Sequence, residues 1–69
     1  MNLPTLKTGA NGQAVRVLQG LLLAAGHSLK LDGDFGPNTD ANVKQFQAHR
    51  GLASDGIVGQ KTWRALMGA

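Results

Sequence analysis

The side chains that could carry acid–base or metal chemistry in this chain are few, and all of them are aspartates or histidines. They are His27, His49, Asp32, Asp34, Asp40 and Asp55. Glycoside hydrolysis needs two facing carboxyl groups, one of them unusually basic. Two of the aspartates fall in turns that need their carboxylates, and a domain this small offers no obvious cleft around the others. Because no Ser/His/Asp motif occurs either, we expect no catalytic residue.

An eight-residue pattern, D-G-x-x-G-x-x-T, occurs twice, beginning at Asp32 and again at Asp55. A repeated metal loop is one interpretation. A calcium loop takes oxygen ligands from positions 1, 3, 5, 9 and 12, the last a Glu. The first copy offers three carboxylates and closes on Val43, and the second offers Asp55 alone. With no cysteine and two distant histidines, zinc and disulfides are excluded as well. We expect no metal and no cofactor.

A phosphate cradle is the second interpretation, and it fails because no Lys follows the required Gly and no strand precedes it. The third is a device that starts a helix. An Asp can close an Asx-turn with the backbone two residues on, and the next Gly permits a positive φ. An apolar residue, Phe35 or Val58, precedes a Gly at the cap position, and a Thr follows in the first turn. We interpret the repeat as helix-entry scaffolding used twice.

These loops must be positioned by three short helices joined by glycine-containing turns. Apolar residues at helical spacing predict helices over about 13–25, 37–50 and 60–67. Their predicted core-facing residues are Val15, Leu18, Leu22 and Ala25, with Leu21 beside them, then Val43 and Phe46, then Trp63, Leu66 and Met67. The sequence therefore predicts an all-α fold, a small three-helix bundle with an internal pseudo-repeat.

Several individual residues carry predictions about packing. Gly26 is expected to stop the first helix in a left-handed conformation. Gly20, inside that helix, suggests close approach of another segment. Leu6 and Leu52 are expected to cover the ends of the core, while Gln47 is expected to face outward or toward an edge.

Length, composition and charge limit the class of protein and the kinds of binding partner that this chain can have. The chain of 69 residues forms one domain, 1–69, with 42% hydrophobic residues to build its core. No apolar stretch is long enough to cross a bilayer. A net charge of +3 and a pI near 10.0 favour anionic partners, but the basic residues are scattered. The N-terminus "MNLPTLKTG" lacks the features of a signal peptide, which suggests a cytoplasmic protein, a piece of a longer exported chain, or a phage protein.

Three stretches together resemble the peptidoglycan-binding domain 1 family. They are "VRVLQGLLLAAG", "LDGDFGPNTDANVKQFQ" and "GLASDGIVGQKTWRAL", within a core of about residues 6 to 67. The resemblance implies a three-helix fold and a non-catalytic module that binds bacterial cell-wall peptidoglycan. Such modules usually accompany amidases, muramidases, carboxypeptidases and phage endolysins. The chain has His27 where family members often have Tyr, and Asn42 where they often have Ala.

The motif residues shared with the family are mostly structural, so candidate ligand contacts come from the surface around them. A solvated side chain or a local cap is the plainer interpretation of each. Trp63 is expected in the core rather than on a sugar. The candidate ligand-binding residues are His27 and Lys30 on the first loop, Asp34 and Asn38 around the second helix start, Gln60 in the matching place of the second copy, and Arg16 as an outlying candidate.

The expected function is non-catalytic binding of peptidoglycan, glycan and stem peptide together, which tethers an attached or partner wall-degrading enzyme. The expected partners are peptidoglycan and a hydrolase domain in the same chain, with the domain itself a monomer that does not bind membranes. The expected location is the cell wall, periplasm or exterior, reached through the parent protein or phage lysis. A protein–protein docking module and, less favoured, a small helical nucleic-acid binder remain as alternatives.

Overall fold

Three helices and the loops between them make up the domain. The computed structural model describes residues 3–68, and its helices are α1 (Gln13–Ala24), α2 (Pro37–His49) and α3 (Gln60–Leu66). Each helix ends one residue earlier than predicted, because the last predicted residue of each is a C-cap whose backbone has left the helical region. Within residues 3–68 no strand forms, so the prediction of an all-α fold is confirmed.

Glycines terminate the first two helices as the sequence indicates. Gly26 has a φ of 97°, and its N–H donates to the Leu23 carbonyl at 3.0 Å. The His27 N–H reaches back to the Leu22 carbonyl at 3.0 Å, which completes a Schellman motif. The same two bonds recur after α2, where Gly51 has a φ of 71°. Each stop fixes the direction in which the following loop leaves its helix.

The core lies between the three helices and the segment before α1. Its buried apolar residues are Leu6, Val15, Leu18, Leu22, Phe35, Val43, Phe46, Val58 and Trp63. An isolated antiparallel bridge joins Leu6 to Val58, and Trp63 donates its indole N–H to the Pro4 carbonyl at 2.8 Å. Leu6 therefore closes one end of the core as expected, and Leu52 is half-buried.

Three predictions about which residues face the core were wrong. Ala25 was expected on the apolar face of α1, but it is exposed because it is the C-cap, beyond the last helical turn. Gln47 was expected to face outward or toward an edge, but only 1% of it is exposed, because its amide forms hydrogen bonds with the loop that enters α3. Met67 was expected on the apolar face of α3, yet it is 47% exposed because it lies at the C-cap, beyond the packed turns of the helix.

The glycine inside α1 is not required by close packing. A Cβ built on Gly20 would lie 3.6 Å from the Leu31 Cδ1 atom, an ordinary van der Waals contact. Another segment does approach Gly20, as expected, but it leaves room for a methyl group.

No helix within residues 3–68 combines the length and apolar character needed to cross a lipid bilayer.

Candidate functional site

The first copy of the repeat, which we call entry loop 1 (residues 32–39), folds as an Asx-turn followed by a helix cap. The Asp34 N–H donates to Asp32 Oδ1 at 3.0 Å, and Gly33 has a φ of 78°. The backbone then turns extended at Gly36, the N-cap of α2, and Pro37 takes the first helical position. The helix-entry interpretation of this copy is confirmed.

Entry loop 2 (residues 55–62) repeats that geometry. The Ile57 N–H donates to Asp55 Oδ1 at 2.9 Å, Gly56 has a φ of 74°, and Gly59 is the extended N-cap of α3. The apolar residue before each cap, Phe35 or Val58, is buried in the core. The chain uses one device twice, as the sequence predicts.

Each entry loop is also clamped by a buried glutamine from the preceding helix. Gln19 in α1 accepts the Gly33 N–H on Oε1 at 2.9 Å, and its Nε2 donates to Asp32 Oδ1 and to Thr39 Oγ1 at 3.0 and 3.1 Å. A further bond from Nε2 reaches the Asp34 carbonyl at 3.1 Å. Because Gln19 is fully buried, these bonds form out of water, where an unmade bond is costly.

Gln47 in α2 makes the matching bonds to entry loop 2. Its Oε1 accepts the Gly56 N–H at 3.0 Å, and its Nε2 donates to Asp55 Oδ1, the Ile57 carbonyl and Thr62 Oγ1 at 3.2, 2.9 and 3.2 Å. Neither glutamine was predicted from the sequence to hold an entry loop. A sequence pattern could have indicated that the two glutamines are equivalent, because V-x-x-[L/F]-Q occurs at residues 15–19 and again at 43–47.

The Asp32 carboxylate is held in its charged form by these contacts. The hydrogen bond from the Asp34 backbone N–H lowers the Asp32 pKa most, and the bond from the Gln19 amide lowers it further. Asp32 Oδ1 thus accepts two hydrogen bonds, one within the turn and one from Gln19, and these bonds anchor the loop.

A cleft opens beside each entry loop, and the repeat relates the two clefts. We call them cleft 1, of about 280 Å³, and cleft 2, of about 420 Å³. The repeated Asp, Gly and Thr line both. The remaining positions differ: Lys30, Asp34 and Asn38 in cleft 1 are replaced in cleft 2 by Ala53, Ile57 and Lys61. The duplication therefore preserves the shape-giving residues and changes the chemical lining.

The structure brings some of the candidate ligand residues together and separates others. Lys30, Asp34 and Asn38 line cleft 1, whereas Gln60 lines cleft 2. Gln60 aligns with Pro37 rather than with Asn38, and its Nε2 already donates to the Leu3 carbonyl at 3.0 Å. Its amide nitrogen therefore holds the N-terminal segment against the entry of α3.

The other two candidates lie elsewhere. Arg16 is exposed and lines neither entry-loop cleft; its side chain packs against entry loop 1, where its Nε would lie 3.1 Å from a Cβ built on Gly33. His27 lines a third cleft of about 420 Å³ at the ends of α1 and α2. There its ring meets Phe46 edge-on at 6.1 Å, and the Arg50 guanidinium stacks 4.9 Å from the Phe46 ring centre.

Comparison with known proteins identifies the family. Residues 11–66, most of the chain, match the family described as "Putative peptidoglycan binding domain". The chain belongs to this family. The resemblance drawn from the sequence is thereby confirmed, and membership makes the chain a binding module of a kind found within wall hydrolases.

Relatives of this peptidoglycan-binding domain include two enzymes. A zinc D-Ala-D-Ala carboxypeptidase of Streptomyces albus G is 45% identical in an alignment 67 residues long, and the match covers 90% of this chain and 26% of the enzyme. The N-acetylmuramoyl-L-alanine amidase CwlL of Bacillus licheniformis is 45% identical in an alignment 64 residues long, and that match covers 88% of this chain and 18% of that protein. The domain thus spans about a quarter or less of either enzyme.

A solved structure agrees with the fold of the peptidoglycan-binding domain. The crystal structure of the Burkholderia AP3 phage endolysin superposes with a TM-score of 0.90 at 46% identity, over 91% of this chain and 24% of that one. None of these comparisons assigns ligand contacts, so the candidate binding residues stay predictions.

Proposed function

We propose that this domain binds peptidoglycan at clefts 1 and 2 and that it holds an attached wall hydrolase at its substrate. The observation that carries the proposal is the duplicated, glutamine-clamped entry loop in a member of a peptidoglycan-binding family. Because each loop is fixed by buried hydrogen bonds, the cleft beside it is formed before any ligand arrives, and little ordering entropy is lost on binding.

Cleft 2 is the principal site in this proposal. It is the larger of the two and joins an aliphatic wall, Leu52, Ala53 and Ile57, to the exposed ammonium group of Lys61. Small-molecule sites in proteins commonly combine an apolar lining with a few polar groups that fix orientation. Peptidoglycan carries alkyl groups, amides and carboxylates, which match both parts of this lining.

Cleft 1 supplies a second, more polar contact. Lys30 can pair with a carboxylate and Asn38 can exchange hydrogen bonds with amides, while the exposed Asp34 side chain can accept them. Two modest contacts on one polymer bind in concert, because the second is made at a high effective concentration once the first has formed.

The proposed tethering role is supported by the domain organisation of the relatives. Those relatives are a carboxypeptidase and an amidase by name, and most of each protein lies outside the matched region. We propose that this domain is likewise linked in cis to a catalytic domain, acts as a monomer, and works outside the cytoplasm at the cell wall. Weak binding to a repeating substrate then keeps the enzyme close without adding chemistry of its own.

Hydrogen bonds already made by side chains of α2 and of its C-cap residue, Arg50, argue against the nucleic-acid-binding alternative. Asn42 donates its amide to the Asn38 carbonyl at 2.8 Å within the same helix, and Arg50 Nη1 donates to the Ala65 carbonyl at 3.2 Å. A recognition helix needs such side chains free to reach base edges. The docking alternative receives no specific observation in its favour.

Co-sedimentation with purified, protein-free sacculi tests the proposal. We expect the domain to pellet with sacculi, and we expect Lys61→Gln combined with Ile57→Ser to reduce the pelleted fraction strongly. Arg64→Gln is the matched control, because Arg64 is an exposed cation on α3 that lines none of the three clefts. Failure of the unmodified domain to pellet would contradict the proposed function.

A further inference from the structure

The Phe and Trp side chains of the domain are unavailable to a ligand. The chain has two Phe, one Trp and no Tyr. Phe35, Phe46 and Trp63 are 2%, 2% and 1% exposed, and all three belong to the core. Sugar rings are usually gripped by stacking their apolar face on an exposed aromatic ring, since such rings give a large, rigid contact area. This surface offers a pyranose no exposed Phe, Tyr or Trp ring, and the two imidazoles, His27 and His49, line the third cleft rather than cleft 2.

Cleft 2 presents a different kind of apolar surface. Ile57 is 42% exposed although it directly precedes the buried Val58, and it faces the cleft with Leu52 and Ala53. Branched aliphatic side chains match the alkyl side chains of a peptide better than the hydroxyl-covered edge of a sugar. Burial of one such side chain contributes through the area it removes from water.

The charge of cleft 2 favours a carboxylate beside that aliphatic group. Lys61 lies at its edge, and within residues 3–68 the only ion pair joins Lys44 to Asp40, so the Lys61 ammonium is uncommitted. Asp55 is the one carboxylate in the lining, and its Oδ1 accepts from the Ile57 N–H and from Gln47. Asp55 Oδ2 remains an acceptor, so the contact to a ligand carboxylate is assigned to Lys61, which is the one cation in the lining.

Cleft 1 shows that the combination of an aliphatic wall with a cation is particular to one copy, although cleft 1 has a cation of its own in Lys30, where cleft 2 has Ala53. Where cleft 2 has Ile57 and Lys61, cleft 1 has Asp34 and Asn38, which remove both the aliphatic wall and the cation at that position. The shared Asp, Gly and Thr residues cannot account for the difference, since they are the same in both copies. The two entry loops therefore share the residues that shape them, and the lining of cleft 2 differs at the positions between those residues.

From these observations we infer that cleft 2 recognises the peptide part of peptidoglycan, an aliphatic side chain next to a free carboxylate, and does not recognise the glycan. This inference rests on the proposed function, because it names which part of that polymer the site reads. Ile57 is the apolar contact and Lys61 the carboxylate contact.

Competition on sacculi tests the inference. Digestion of sacculi with an amidase yields two soluble probes, free stem peptides and peptide-free glycan strands. We expect stem peptides to displace the domain from intact sacculi and glycan strands to leave it bound at the same concentration. Amidation of the peptide's carboxylates should weaken displacement roughly five-fold, the order expected for loss of one exposed charge contact.

Single substitutions test which residues of cleft 2 contact the peptide. Lys61→Gln should weaken peptide affinity about five-fold and remove the difference between free and amidated peptides, whereas Arg64→Gln should change neither. Ile57→Ser should weaken both peptides equally, since it removes apolar contact only. Trp63 fluorescence reports whether each variant is folded, as this side chain is buried.

Different results would contradict the proposed function and the inference about cleft 2. If intact sacculi do not bind the domain, the proposed function is wrong. If sacculi bind but glycan strands displace the domain, or stem peptides do not, the function stands and the inference is overturned. An unchanged preference for free over amidated peptide in Lys61→Gln would also overturn it.

Discussion

Replacing Gln47 with Met tests whether a buried glutamine holds each entry loop. Methionine has a similar length and can fill the same space, so little of the loss should come from a cavity. The substitution removes every hydrogen bond that the Gln47 amide makes to entry loop 2. The Gly56 N–H, accepted at 3.0 Å by a side chain only 1% exposed, is left buried without a partner.

The expected loss can be built from these contacts. An unsatisfied buried backbone group costs about 1–3 kcal/mol. Asp55, Ile57 and Thr62 lose a donor that held them to α2, but Asp55 and Ile57 are exposed and water can replace part of what they lose. Together these give a fall of about 2–4 kcal/mol in the free energy of unfolding, a large share of the roughly 5–15 kcal/mol of a typical domain.

Urea unfolding followed by Trp63 fluorescence measures this. With a slope of about 1 kcal/mol per molar urea for so small a protein, the midpoint should fall by roughly 2–4 M. Gln45→Met is the matched control, because Gln45 is exposed on the same helix, and it should change stability by less than about 0.5 kcal/mol. Gln19→Met, at the equivalent site, should be about as damaging as Gln47→Met.

Amide exchange distinguishes a local clamp from a general packing effect. Gln47→Met should accelerate exchange at the Gly56 amide more than at the Gly33 amide, and Gln19→Met should do the reverse. If both glutamine variants kept midpoints within experimental error of Gln45→Met, the reasoning about buried hydrogen bonds would be refuted.

Three further predictions concern stability. Gly20→Ala should raise the free energy of unfolding by about 0.5–1 kcal/mol, because the methyl group has room beside Leu31 and helix propensity improves; a lower urea midpoint would contradict this. Gly56→Ala should destabilise, by roughly 1–2 kcal/mol from its φ of 74° alone, with overlap of the Asp40 carboxylate adding to the loss; an unchanged midpoint would argue against the loop geometry. The folded-state pKa of Asp32 is lowered, so its contribution is present above about pH 4 and is lost as pH falls through the folded pKa; Asp32→Asn should flatten that part of the acid-unfolding curve, and an identical curve would reject the assignment.

Features fixed by near neighbours were predictable from the sequence. The Asx-turns, positive-φ glycines and helix caps each involve residues within a few positions, and the three helices followed from apolar spacing. The clamping glutamines were missed because their partners are distant in sequence and at unequal separations, 13 residues from Gln19 to Asp32 and 8 from Gln47 to Asp55. A polar residue on a helix is usually taken as solvated, and only the folded loop shows that its amide is needed inside.

The candidate site was predictable only in part. Lys30, Asp34 and Asn38 do share a cleft, because they flank one turn. His27 and Arg16 were selected from loop and surface position, and neither lines an entry-loop cleft, because His27 lies in the third cleft and Arg16 packs against Gly33 of entry loop 1. Lys61 and Ile57 were not selected, although they occupy the same variable positions of the repeat as Asn38 and Asp34, which were selected. Their significance comes from the alignment of the two copies in space, where the second differs from the first.

Chemical-shift mapping with soluble peptidoglycan fragments tests the central claim most directly, namely that the duplicated loops are rigid frames and that the ligand is read by the residues between the repeated ones. On titration into isotopically labelled domain, the amides around Ile57 and Lys61 should shift first, with smaller changes around Asn38. Signals of Gln19, which lines neither cleft, should move little, because its hydrogen bonds to entry loop 1 are already formed. Shifts confined to the His27 cleft, with cleft 2 unmoved, would contradict the account.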